Sequence, residues 1–297
     1  MTRAVVIANP NASRANSKRL RAALTRLRAG GLTVELAATR EAGHGAELAR
    51  AALEDGVELL IASGGDGTIM EVATVLAGTG RPLGILPAGT GNRLADNLGI
   101  AWEPREAADV ILTMRPRAID LGRLTTAAGT RYFAVAGGCG FDAEVMDRTS
   151  SKTKRAFGVG AYLGTAINLA FNIPRSHVRV EVDGVVHEQE AVMVLLANCG
   201  EILPSGTKFA EHIHEDDGLL DIVLGDTGSF AGAARIAWRL ASGRSRADGI
   251  KFLRGRSVKV TAEPSMAVQA DGDLAGRTPM TADLLPGGLT VLAPPAR

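Results

Sequence analysis

The chain has 297 residues, enough for two compact domains, and its 46% hydrophobic and 22% charged composition is that of a folded enzyme, not a disordered chain. Its 33 basic and 32 acidic residues nearly cancel, which excludes the broad positive field of a nucleic-acid-binding protein. Two cysteines, Cys139 and Cys199, are too few for a disulfide framework or a zinc cluster and read as small buried side chains in a reducing cytoplasm.

The start, Met1 to Pro10, shows no signal-peptide pattern; Arg3–Ala8 is a short strand ending in Asn9-Pro10. Leu20, Leu24 and Leu27 at helical spacing predict a helix over Ser17–Arg28, capped by Ser17 and stopped by Gly30-Gly31. Thr33–Ala37 reads as strand, Gly45–Glu54 as helix and Glu58–Ala62 as a buried strand. A helix at Thr68–Leu76, a strand at Leu83–Leu86 and another helix follow. This βα alternation predicts a parallel sheet flanked by helices, with ligand loops at the carboxyl ends of its strands.

Beyond Asp120 the pattern turns to short β runs: Arg131–Ala136, His177–Val182, Ala191–Ala197, Leu219–Leu224, Ser257–Thr261, Ala267–Ala270 and Leu289–Leu292. Two helices are expected among them, at Ala156–Ile173 and Phe230–Leu240. Ala156–Ile173 carries no charge, but its glycines and asparagines favour a core or membrane-facing helix over a span. The division is therefore an α/β domain over residues 1–122 and a largely antiparallel β domain over 123–297.

Ser63-Gly64-Gly65-Asp66-Gly67-Thr68 follows a buried strand and opens a helix. Such a loop aims backbone N–H groups and the positive helix end at a phosphate, and the glycines let the backbone approach it. Asp66 would repel a phosphate, so it belongs either to a metal-water network, to a ribose or hydroxyl contact, or to a plain capping turn. Leu86-Pro87-Ala88-Gly89-Thr90-Gly91-Asn92 is a second strand-to-helix loop. Neither loop is a Walker A sequence or a GxGxxG fingerprint.

Together these loops resemble the diacylglycerol kinase catalytic family, which includes bacterial lipid kinases and sphingosine and ceramide kinases. The resemblance continues through Asn9-Pro10, ATREAGHG at Thr39, Ile119-Asp120, AGGCGFDAEV, EDDGLLDIV and ADGD, so it spans nearly the whole chain. It implies an NAD-kinase- and phosphofructokinase-like nucleotide domain followed by a β-rich, sandwich-like domain. The activity implied is ATP- and magnesium-dependent phosphorylation of a lipid hydroxyl, with the lipid entering between the domains. Asn9, Thr39, Gly64, Gly65, Asp66, Gly67, Thr68, Gly89, Thr90 and Asn92 would contact ATP. Asp217 would hold a structural magnesium ion with the carbonyls of His214 and Leu219. Asp271 and Asp273 correspond to the family's Asp-Gly-Glu; Asp271 is favoured as general base and Asp273 is the alternative.

This sequence departs from the family at Arg93, where an Asp is common, and at Asp273, where the family has Glu. Asp120 and Asp96 remain as candidates for the metal-water network, Asp96 lying one helical turn beyond Arg93. Lys152, Lys154 and Arg155 precede the uncharged segment, and Arg239, Arg244, Arg246, Lys251, Arg254 and Arg256 form a second basic region. Both suit peripheral contact with anionic membrane or are plain surface charge. Two rival functions stay open: phosphorylation of a soluble nucleotide, as in NAD kinases, and a non-catalytic nucleotide or lipid sensor signalled by Arg93.

Overall fold

A computed structural model of the chain describes residues 2–14, 17–140, 143, 175–202, 212–226 and 250–295. The segment Ala156–Ile173, the helix expected at Phe230–Leu240 and the cations Lys152, Lys154, Arg155, Arg239, Arg244 and Arg246 lie outside these residues. The chain forms two units, Met1–Leu121 with Pro286–Arg297, and Gly122–Leu285. The last segment, read as part of the β domain, belongs instead to the first unit.

In the first unit the strands are β1 (Arg3–Ala8), β2 (Thr33–Ala38), β3 (Leu59–Gly64) and β4 (Pro82–Pro87). They lie parallel in the order β2-β1-β3-β4. All six residues of β3 are buried, and β1 and β4 nearly match it. Continuous apolar runs of this kind mark strands covered on both faces. The covers are α1 (Ser17–Ala29), which packs on α5 (Pro104–Thr113), and α2 (His44–Glu54), which packs on α3 (Asp66–Leu76). A short α4 (Arg93–Asn97) follows the second glycine loop. Helix α3 begins two residues before its predicted start, with Gly65 as its N-cap, so Asp66 stands in its first turn.

Among the described residues, the sheet ladders of the second unit run antiparallel. The hairpin of β5 (Pro116–Thr126) and β6 (Gly129–Phe133) opens it. One sheet pairs β8 (Ser176–Val182), β9 (Val185–Ala191) and β13 (Ser257–Glu263). The other runs β12-β11-β10-β7-β14-β15. Its strands are β7 (Ala136–Gly140), β10 (Met193–Ala197), β11 (Leu220–Gly225), β12 (Ile250–Gly255), β14 (Ala267–Ala270) and β15 (Asp273–Arg277). Alternate residues of both sheets, among them Val178, Val180, Val258, Val260, Leu196, Ile222 and Val268, meet in one apolar cluster. That is the packing of a β-sandwich. The β8–β9 turn has Asp183 at φ 47° and Gly184 at φ 85°; two left-handed residues form the tight loop whose twist suits a hairpin. β9, β12 and β15 are not predicted from the sequence, because they are polar or glycine-containing edge-like runs with weak alternation.

The last strand, β16 (Met280–Leu292), is far longer than the predicted Leu289–Leu292. Its first residues pair with β13, and Thr290 and Val291 pair in parallel with β4. Leu289 and Val291 are fully buried, which is why this segment completes the first unit.

Candidate active site

The two glycine loops of the first unit lie against each other. Ala88 N–H donates to the Gly64 carbonyl at 2.8 Å, extending the β3–β4 ladder past its end. A Cβ on Gly89 would stand 2.5 Å from the Gly65 Cα and 2.9 Å from Asn92 Oδ1. Both contacts are too short for a side chain, so glycine here is a packing requirement. Beyond the loops, the first N–H groups of α3 have no partner within the helix, which is the usual setting of an anion site.

The other residues expected around ATP fall near these loops. Asn9 Nδ2 donates to Thr68 Oγ1 at 3.4 Å, and Asn9 N–H to the Ser63 carbonyl at 2.9 Å, which ties the loop after β1 to the glycine turn. Thr39 N–H donates to the Ala8 carbonyl, and the residue is buried. Ser13 and Thr90 share a hydroxyl hydrogen bond of 2.7 Å. Asn92 needs correction as an ATP contact. It is fully buried, and its amide bonds both the N–H and the carbonyl of Gly89 at 2.9 Å, so it shapes the loop from behind.

Asp66 is partly buried at the helix start. Burial pushes its carboxyl above the ordinary value, more than the Leu94 N–H, the Arg93 charge and neighbouring N–H groups pull it down. The network expected from Asp96 and Asp120 also needs correction. Asp96 Oδ2 meets Arg93 at 3.3 Å and its Oδ1 accepts the Trp102 indole N–H, so this carboxylate steadies Arg93 and Trp102. Arg14 stacks on the same indole at 4.3 Å. Asp120 is buried, and its Oδ1 accepts the Gly287 N–H at 2.8 Å, an anchor for the returning strand.

Glu71, one turn beyond Thr68 on α3, is a residue that sequence reasoning missed. Its two oxygens accept the Gly43 and Gly45 N–H groups at 2.7 and 2.8 Å, which fixes the loop after Thr39 against α3. The available signal was a lone carboxylate in an otherwise uncharged stretch of helix. Next to the sheet, Ala8, Asn9, Arg14, Leu20, Leu36 and Pro87 border a largely apolar cavity of about 400 Å³.

In the second unit, Asp271 has a left-handed backbone, φ 47°. Ala134 N–H donates to its Oδ2 at 2.7 Å, and the Val135 and Ala136 N–H groups donate to Oδ1 at 2.9 Å. These three bonds fill most of the roughly four lone-pair sites of a carboxylate. Asp273, at the start of β15, is exposed. At the other acidic turn, Asp217 Oδ1 accepts the Leu219 N–H at 3.0 Å, and Oδ2 is paired with Arg254. Arg254 Nε also lies 3.2 Å from the buried Asp221, as does His212 Nε2. Burial raises the Asp221 carboxyl, against the pull of Arg254 and His212. Part of the second basic region, read as a membrane contact or as plain surface charge, is bonded within the unit: Arg254 serves this cluster, Arg256 Nε donates to the Gly218 carbonyl at 3.1 Å, and Lys251 contacts His187. Both cysteines are buried and unbridged. No helix among the described residues is long and apolar enough to cross a membrane.

A parallel α/β unit with two facing glycine loops, followed in the chain by an antiparallel sandwich, is the architecture of the diacylglycerol kinase-like proteins. Residues 3–124 match the diacylglycerol kinase catalytic domain, and residues 136–293 match the YegS C-terminal NAD kinase beta sandwich-like domain. The chain belongs to the diacylglycerol kinase family. It is 32% identical to the "Probable lipid kinase YegS-like" of Chromohalobacter salexigens over 96% of this chain and 91% of that protein. It is 28% identical to protein sll0036 of Synechocystis, covering 53% of this chain and only 37% of that protein. Among solved structures, a diacylglycerol kinase from Bacillus anthracis str. Sterne superposes with a TM-score of 0.79. That structure is 26% identical in sequence, over 99% of this chain and 98% of that one.

Proposed function

We propose that this chain transfers the γ-phosphoryl group of ATP to the hydroxyl of a diacylglycerol-like or related lipid. The observation that carries the reading is the interlock of Gly65 and Gly89, which brings two strand-to-helix turns together at the start of α3. Such a floor suits a polyphosphate and leaves no room for side chains above it. ATP would be bound as its magnesium complex, the ion supplying charge neutralisation for the phosphates. Asn9, Thr39, Gly64–Thr68, Gly89 and Thr90 serve the nucleotide, and Glu71 holds the loop that carries Thr39.

Asp273 is the general base in this reading. Asp271 is committed to three backbone N–H groups and acts as the frame of the turn, whereas Asp273, two residues on at the start of β15, is exposed. Asp273 takes the proton of the lipid hydroxyl as its oxygen bonds to the γ-phosphorus, the bond to the β-phosphate oxygen breaks, and ADP leaves. The basic residues before the uncharged segment at 156–173 suit transient attachment to an anionic bilayer.

Labelled ATP incubated with the chain and a total lipid extract tests the proposal, with mass spectrometry of whichever lipid gains phosphate. Label in lipid that disappears in Asp273→Asn supports it. Transfer to NAD in place of lipid would make the chain a soluble-nucleotide kinase. ATP binding without transfer to either acceptor would leave a sensor.

A further inference from the structure

The family resemblance places a magnesium ion at the Asp216-Asp217-Gly218 turn, and the residues there do not fit one. We propose that Arg254 is a built-in counter-ion for Asp217 and Asp221, so that the second unit of this chain folds without a divalent ion at this turn.

Arg254 is placed by the sheet. It lies directly opposite Asp221 in the antiparallel β11–β12 ladder, a register held by six consecutive pairs from Leu220↔Gly255 to Gly225↔Ile250. Asp221 is only 1% exposed, and neither carboxylate oxygen has a hydrogen-bond partner among the described residues. A buried carboxylate in that state depends on a nearby positive charge. The guanidinium supplies it, with Nε 3.2 Å from Asp221 and Nη2 on Asp217, and His212 Nε2 lies at the same 3.2 Å from Asp221 on a half-exposed ring. One planar, always-charged fork thus serves two acids, a task for which arginine is better shaped than lysine.

The same contacts occupy the carboxylate that would coordinate a metal ion at this turn. Magnesium requires about six oxygens in near-octahedral geometry at roughly 2.0–2.1 Å. Of the expected donors, Asp217 has Oδ1 on the Leu219 N–H and Oδ2 on Arg254. The neighbouring Gly218 carbonyl accepts from Arg256. An ion bound by Asp217 would have to displace the Arg254 guanidinium, with a second guanidinium, Arg256, on the adjoining Gly218 carbonyl. Arginine on β12 therefore does for the turn what a divalent cation does by coordination: it neutralises the acids and satisfies the bend.

The full chain, stripped of metal and free of nucleotide, tests this by thermal melting, with no lipid or ATP present, so the outcome is independent of the proposed activity. Melting curves in chelator, in millimolar magnesium and in millimolar calcium should superimpose. A magnesium-dependent rise in Tm that Asp217→Asn abolishes would show a bound ion and overturn the proposal, because a ligand of the native state must raise Tm. Arg254→Met leaves two acids facing each other, and its Tm in chelator should fall by roughly 5–10 °C. Added magnesium or calcium should restore part of that loss. An Arg254→Met protein that melts like the wild type in chelator would equally overturn the counter-ion role. If that variant does not fold, the wild-type and Asp217→Asn comparison decides alone.

Discussion

At the scale of single residues, the two aspartates of the ADGD turn separate by their bonding. Asp271 holds the Ala134–Ala136 backbone in place, so Asp271→Asn should lower Tm as well as activity. Asp273→Asn should leave Tm nearly unchanged and reduce kcat by roughly 10²–10⁴, the span for a lost general base. Melting curves and lipid-phosphorylation kinetics on both variants check the assignment; a stable, inactive Asp271→Asn would return the base to Asp271. Asp66 carries a pH signature. Its carboxyl is raised by burial, so the folded state keeps the proton at a pH where the unfolded chain has released it. That contribution to stability is complete below the unfolded pKa and lost as pH rises through the folded one. Asp66→Asn should accordingly match or exceed the wild-type Tm at neutral pH, with the difference closing toward about pH 4. Melting across that range measures it. A variant less stable than wild type at neutral pH would mean that the bonds to Leu94 and Arg93 outweigh burial.

At the scale of elements, the site depends on two loops being locked from behind. Gly89→Ala places a methyl group 2.5 Å from the Gly65 Cα, beside the Ala88–Gly64 hydrogen bond that ties the two loops. ATP affinity should fall tenfold or more, equivalent to about 1.4 kcal/mol, while far-UV circular dichroism stays as in the wild type. Glu71→Gln should loosen the other loop. It retains one acceptor where two N–H groups now bind a charged carboxylate, a loss of about 1.5 kcal/mol. Calorimetric titration with ATP should show the weaker binding; an unchanged Kd would separate the Gly43–Gly45 loop from the nucleotide. Glycine punctuation and apolar periodicity made the α/β elements legible, because β3 and α1 each satisfy a local rule. The partners of Glu71 and Arg254 were not legible, since a loop and a cross-strand register bring them together over 26 or more residues.

At the scale of the molecule, the return of β16 makes the first unit discontinuous in sequence. A chain ending at Leu285 loses the buried Leu289 and Val291 and the Gly287 N–H to Asp120. Removing two such side chains exposes apolar surface worth roughly 3–6 kcal/mol, a large share of a domain's stability. The truncated chain should therefore be poorly soluble or melt far below the full protein in a thermal scan, and residues 1–121 alone should behave likewise. A stable, ATP-binding 1–121 fragment would contradict this. The sequence by itself determined the α/β-then-β order, the two glycine loops and the family, because each is written in short local patterns and in motifs that occur together. Tertiary structure alone decided how the oxygens of each acid are bonded. Asp271, Asp96, Asp120 and Asp217 look equivalent to Asp273 along the chain, and they differ only in the N–H groups and guanidinium ions that folding brings to their oxygens.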